Sequence, residues 1–383
     1  MLGPMKTLAC ERCGMRVFFE NVACERCGAA LGFVPDELAM GAFEPGADGP
    51  WQRLREGAAP RRPCRNYVQA QACNWMLPAG DADASPYCLS CRTTEILPAL
   101  DKAENQAAWA RIELAKRRVI YSLLALRLPV RSRTEDPDHG LSFRFLEELT
   151  PAQPVMTGHD NGIITLNIEE ADDARREAVR HQMHEPYRTL VGHFRHETGH
   201  YYWDRLVDGT PWLERFRALF GDERADYAQA LQAHYEAPRA DWPEHFVSAY
   251  ASAHPWEDWA ECWAHYLHIL DGLDTAAAWG LKLASPGGPP VTAKPLEARA
   301  GSFAAALVER WLPISQFVNA MSRSLGLVDG YPFVIPPPVV EKLDFVHQVV
   351  ASSARAAGRR RARAQPAAAA PATLQGAEPC NAS

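Results

Sequence analysis

Residues 193–200, HFRHETGH, place His196, Glu197 and His200 in the order H-E-x-x-H. Two histidines four apart on a helix share a face, so both imidazoles can reach one ion. A catalytic zinc takes three protein ligands and keeps one position open. Glu197 falls beside such an ion rather than on it, where a carboxylate can take a proton from water. His193, one turn earlier on the same face, is expected to pack or hydrogen-bond rather than ligate. Asp204, four residues after His200, either orients a ligand or is a surface acid.

A third ligand must come from elsewhere. The residues after His200 read YYWDRLVDG, so the motif is not extended by H-x-x-G-x-x-H. The best source is SAYASAHPWEDWAECWAHYLHIL, about 60 residues on. Trp256, Trp259, Ala260, Trp263, Tyr266, Leu267 and Leu270 make most of this helix apolar, which calls for burial. One stripe nevertheless carries Glu257, Glu261, His265 and His268. Two acids one turn apart repel, and burying them without partners is costly. A metal resolves the conflict. Glu257 would bind it, and Glu261 would accept a hydrogen bond from the second nitrogen of a ligating histidine. The plain alternative is a solvated polar face on a core helix.

Ten cysteines suggest more metal, and eight of them lie between Cys10 and Cys91. Cys10, Cys13, Cys24 and Cys27 form two C-E-R-C-G knuckles, which fit one four-thiolate zinc better than a redox dithiol. Cys64, Cys73, Cys88 and Cys91 are looser, with only CLSC a tight pair. A second four-thiolate zinc is the expectation there, against buried thiols beside an incomplete site. Pairing across the two sets stays open on spacing. Cys262 sits in the apolar helix as a packing residue, and Cys380 lies in the tail.

The elements that must hold these groups can be read coarsely. A helix is expected over 106–126, with its apolar face ended by Pro129. GIITLNI, 162–168, reads as a strand, either structural or an edge able to pair with an extended peptide. The motif helix is expected to begin at Pro186 and to stop at DGTP; Pro255 suits the start of the second. FVIPPPVVEKLDFVHQVV closes the domain, and a disordered basic tail is expected from about residue 352.

The chain has 383 residues and a net charge of −7, which carries no nucleic-acid footprint. No secretory signal or membrane-spanning run is legible, so the expected location is cytoplasmic. The expected division is a zinc-ribbon module over 1–100, a catalytic domain over 101–350 and a tail over 351–383. The expected fold is α+β, mostly helical, behind a small ribbon.

H-E-x-x-H followed by a helix bearing Glu-x-x-x-Glu resembles the gluzincin metallopeptidases. EDWAECW is similar to the corresponding helix of the lethal-factor type. The chain also resembles a family of bacterial zinc-binding metallopeptidases with an N-terminal zinc ribbon. The CERCG pairs, CNW, CLSCR, GIITLNIEEADD, HEPYRTLVGHFRHETGHYYWDRL and YASAHPWEDWAECWAHYLHILD carry that likeness, over most of residues 10–272. The lethal-factor type has a tyrosine seven residues before its glutamate ligand, where this chain has Tyr250.

The resemblance implies a zincin-like domain that hydrolyses peptide bonds with one catalytic zinc and one or two structural ones. Glu197 would be the general base, and Tyr250 the donor to the oxyanion, with His254 in reserve. The alternative reading of Tyr250 is a core aromatic with a bonded hydroxyl. The expected partner is a protein or peptide substrate, and the ribbon would position it or gate the cleft; nucleic acid and membrane are disfavoured. Two other readings remain: a ribbon-based protein- or nucleic-acid-binding module whose zincin-like domain is non-catalytic, and a zinc hydrolase acting on a non-peptide amide.

Overall fold

The computed structural model describes residues 7–47, 49–80, 85–148, 150, 155–182, 185, 187–284, 289–296 and 302–364. Its front end is organised by thiols. Leu8–Ala9 pairs antiparallel with Arg16–Val17, and the Cys10–Cys13 knuckle turns between them. Gly14 and Gly28 follow the two knuckles at φ +71° and +70°, a backbone that glycine takes without strain. Each donates its N–H to the carbonyl of the first cysteine of its knuckle. Strands β1 (Ala30–Val34) and β2 (Ala39–Glu44) then pair antiparallel.

Phe33 of β1 joins this front end to the rest. It is fully buried, with ring centroids 5.1 Å from Phe19, 5.0 Å from Trp75 and 5.6 Å from Tyr121. Tyr121 belongs to helix α1 (Ala103–Ala125), so one apolar core runs through both parts. Arg117 of α1 is buried close to Cys73, Cys88 and Cys91 and donates to the Ala72 carbonyl. Four thiolates on one Zn²⁺ carry a net charge of −2, and a guanidinium beside them offsets it.

A four-stranded sheet follows. It contains β3 (Thr94–Ile96), β4 (Ser142–Leu146), β5 (Gly158–Asp160) and β6 (Ile163–Asn167), in the order β5-β6-β4-β3. The strand read from GIITLNI is β6, but β6 lies inside the sheet, parallel to β4. The edge beside the candidate site is β5, folded back through Asn161 and Gly162 at φ +43° and +81°. Two consecutive left-handed residues make the type I′ turn that Asn-Gly favours.

The remaining chain is largely helical: α2 (Asp173–Gln182), α3 (Leu190–Leu206), α4 (Leu213–Phe220), α5 (Tyr227–Glu236), α6 (Pro255–Ala278), α7 (Leu312–Ser324) and α8 (Pro337–Ala364). The architecture is α+β with an N-terminal ribbon region. No helix among the described residues is long and apolar enough to cross a membrane.

Two boundaries differ from expectation. Helix α3 starts at Leu190, where Thr189 Oγ1 accepts the Gly192 N–H at 3.0 Å, a cap that Pro186 cannot supply. Pro186 itself is outside the described residues. Helix α8 continues to Ala364 instead of giving way near residue 352. Alanine and arginine, which dominate that stretch, are among the strongest helix formers. Residues 365–383 of the expected tail are outside the described residues.

Helices α3 and α6 touch at Gly199. A Cβ there would lie 2.9 Å from Ala260 Cα and 3.2 Å from Trp263 Cβ. Trp259 Nε1 donates to the Gly199 carbonyl at 2.8 Å, which locks the crossing. Gly199→Ala is expected to force the helices apart and cost about 1–3 kcal/mol of stability, measured by denaturant unfolding.

Candidate metal centre

The crossing at Gly199 brings the two motif helices' polar residues face to face. His196 and His200 project from α3, and Glu257 projects from the first turn of α6. Their donor atoms form a small triangle. His196 Nε2 is 3.3 Å from His200 Nε2, and Glu257 Oε2 is 3.0 Å from the first and 3.6 Å from the second. Zn–N bonds of about 2.0–2.1 Å place two ligands of a tetrahedral ion about 3.3 Å apart. Glu257 is 1% exposed, and its Oε2 forms no hydrogen bond despite these neighbours. A buried carboxylate oxygen left this way is costly unless a cation completes it.

The surrounding contacts orient the triangle. His196 Nδ1 lies 2.8 Å from Glu261 Oε1, while Glu261 Oε2 accepts the Ser248 hydroxyl at 2.8 Å. Glu257 Oε1 accepts the Tyr227 hydroxyl at 2.6 Å, which leaves Oε2 toward the histidines. Burial opposes a charge on His196, but Glu257 and Glu261 outweigh it and hold the pKa well above the ordinary imidazole value. A metal cation would take the place of that proton.

Glu197 is buried and makes no hydrogen bond among the described residues; burial raises its pKa. It lines two cavities, of about 680 and 390 Å³, which share His196, Glu197 and Tyr250; the smaller also takes in His200 and Glu257. Tyr250 lines both as well, with its ring 5.9 Å from that of His196. Burial, then the Glu257 carboxylate, push its phenol well up in pKa, so it stays a donor.

Other candidates have different places. His254 does not face the centre as a reserve donor: it caps α6. Its Nδ1 accepts the Trp256 N–H and its Nε2 lies against the Ala225 carbonyl, both at 3.2 Å, so both ring nitrogens are engaged. His193 is half-buried at the larger cavity, 4.0 Å from Glu170, and desolvation lowers its pKa to about 4, as a neutral imidazole. Asp204 lines the smaller cavity but makes no hydrogen bond to His200 among the described residues. His265 bonds the Tyr331 hydroxyl at 2.8 Å, and His268 packs against Tyr331 and Trp311, so the lower half of the α6 stripe does not ligate. Cys262 is buried as a packing residue. Among the described residues, none of the ribbon lines either cavity.

Sequence reasoning missed Tyr227 and the β5 hairpin. The Asn-Gly pair could have revealed the hairpin. Nothing local announces that Tyr227 reaches Glu257.

The two cysteine sets stay separate, each with its four sulfurs gathered within 4.8 Å. Cys10–Cys27, Cys13–Cys24 and Cys73–Cys88 sulfurs stand 3.7, 3.6 and 3.7 Å apart. A disulfide needs about 2.05 Å, whereas thiolates on a tetrahedral zinc at about 2.3 Å stand about 3.8 Å apart. The Cys27 and Arg26 amides pull the Cys24 thiol down to about 7. These donors fit zinc.

Residues 105–349 match the family described as "Putative zinc-binding metallo-peptidase", and residues 7–102 match a zinc-ribbon domain. The chain belongs to that metallopeptidase family. Its relatives include proteins of Mycobacterium tuberculosis and Mycobacterium bovis that bear the name uncharacterized protein. Each is 45% identical over 348 residues, 90% of this chain and 95% of its own. No solved structure matches the chain.

Proposed function

We propose that the protein is a gluzincin-like zinc peptidase that hydrolyses peptide bonds at the triangle of His196, His200 and Glu257. The observation that carries this reading is the spacing of the three donor atoms, 3.0–3.6 Å, around an unsatisfied carboxylate oxygen. A zinc ion held by these atoms supplies Lewis acidity, lowering the pKa of water toward neutrality and polarising a carbonyl.

The chain's own groups do the rest. Glu197, free of protein partners and raised in pKa, accepts the proton of the attacking water and returns it to the departing amine. Tyr250 donates its phenolic hydrogen to the oxygen on which charge develops. Glu261 holds His196 by Nδ1, so that Nε2 faces His200 and Glu257, where it would serve as a ligand. The two cysteine sets, Cys10, Cys13, Cys24 and Cys27 and Cys64, Cys73, Cys88 and Cys91, each hold one structural zinc.

Elemental analysis of the full chain is expected to give three zincs, one removable by mild chelation together with peptide-cleaving activity. Two zincs after zinc loading, with no cleavage of any peptide, would overturn the reading. Tyr227 is a positioning residue for Glu257. Tyr227→Phe is expected to weaken the chelatable zinc by about 10–100-fold and leave the thiolate zincs in place, as read by competition with a chromogenic chelator.

A further inference from the structure

The two cavities at the triangle are unlike. They share Thr157, His196, Glu197 and Tyr250, while His200 and Glu257 line the smaller one alone, so both open on the general base and on one edge of the triangle. The smaller has Asp160 and Asp204 in its wall and no lysine or arginine. Both carry rings: Trp203, Tyr227 and Trp256 in the smaller, and in the larger Tyr187, Tyr235 and Phe333 with His265 and His268 beside Tyr250, so volume and unmatched acid are what separate them.

Apart from Glu197, the charges in the larger wall are already matched. Arg188 donates to Glu170 at 2.6 Å and to Glu185 at 3.1 Å. Arg195 meets Asp271 at 2.5 Å. Glu261 is taken by His196 and Ser248. A charged side chain entering this cavity would lose its water and find no free counter-ion except Glu197, which the reaction itself requires. An aromatic side chain has no charge to strip, and it gains apolar burial with edge or face contact to the rings.

The wall is also held in place. Phe333 lies edge to face with His265 at 4.4 Å and with Tyr187 at 6.0 Å. The segment leading to it is anchored by Asn319, whose side chain bonds both the N–H and the carbonyl of Tyr331 at 2.9 Å. A cavity of about 680 Å³ falls within the range of about 300–1,000 Å³ that holds a drug-sized ligand, so one aromatic residue and part of its neighbour fit.

We infer that the larger cavity is a specificity subsite that seats a bulky aromatic side chain on one side of the hydrolysed bond, with Phe333 as its main determinant. The inference rests on the hydrolytic reading above. The cavity across the triangle, at about 390 Å³ and with Asp160 and Asp204 beside its rings, has less room for a bulky apolar side chain, which makes the preference one-sided.

The test is digestion of a random peptide library by the zinc-loaded full chain, with the cut sites sequenced. Phe, Tyr and Trp are expected to be enriched at one position flanking the cut and not at its counterpart. Phe333→Ala is expected to lower the aromatic-over-alanine ratio of kcat/KM at that position by about 10- to 200-fold. Should that variant not fold, Phe333→Leu is expected to lower the same ratio while keeping the wall filled. Cuts without an aromatic preference, or a preference untouched by the Phe333 change, overturn the subsite and leave the peptidase reading standing. Immobilised Glu197→Gln separates the converse case. If it retains aromatic peptides from the library while the native chain cuts none, the subsite holds and the hydrolytic reading fails.

Discussion

Glu197→Gln is expected to lower zinc-dependent peptide hydrolysis by about 10²–10⁴-fold with all three zincs retained. The carboxylate is buried, lines both cavities and makes no hydrogen bond among the described residues, so it has no evident scaffolding work. Glutamine keeps its shape and can still hold a water, but it cannot accept a proton. Because the change removes a buried charge, folding stability should hold or rise. The measurement is kcat/KM on any peptide the native chain cuts, beside elemental analysis of the same samples. Full turnover in the variant would remove Glu197 from the role of base.

Glu257→Ala is expected to abolish the same activity by a different route. It removes the only carboxylate in the triangle and leaves two imidazoles, too few for a catalytic zinc. Zinc content should fall from three per chain to two, a larger loss than the roughly 10–100-fold that follows removal of an outer partner. The cysteine clusters lie in the ribbon region, so their zincs and the far-ultraviolet circular dichroism should persist. Parallel zinc analysis of Glu197→Gln and Glu257→Ala therefore separates proton transfer from metal binding. Three zincs in Glu257→Ala would mean that this residue is not a ligand.

What could be read in the chain was what local spacing dictates. H-E-x-x-H and C-x-x-C are two-point patterns within one or two turns of backbone, and their donor atoms do converge. Glu257 was legible for a different reason: an acid on an apolar helix has to be answered by something. Groups that act across distance were not legible. Tyr227 sits 30 residues before the carboxylate it bonds, on a helix with no buried residue. His254 drew a chemical reading from its position near the site, whereas the helix start beside Pro255 needed a cap and used it. Low sequence complexity masked the helical continuation to Ala364, although its alanines and arginines favour helix. The front end is expected to position a substrate or gate the cleft; it is fastened to α1 through Phe33 and Tyr121, and none of its described residues lines either cavity.

The claim on which the mechanism turns is a single zinc bridging α3 and α6. A zinc-edge anomalous difference map from crystals of the full chain tests it most directly. Three peaks are predicted, two within the cysteine clusters and one about 2.0–2.2 Å from His196 Nε2, His200 Nε2 and Glu257 Oε2. Peaks at the cysteine clusters alone, in crystals grown with excess zinc, would contradict it.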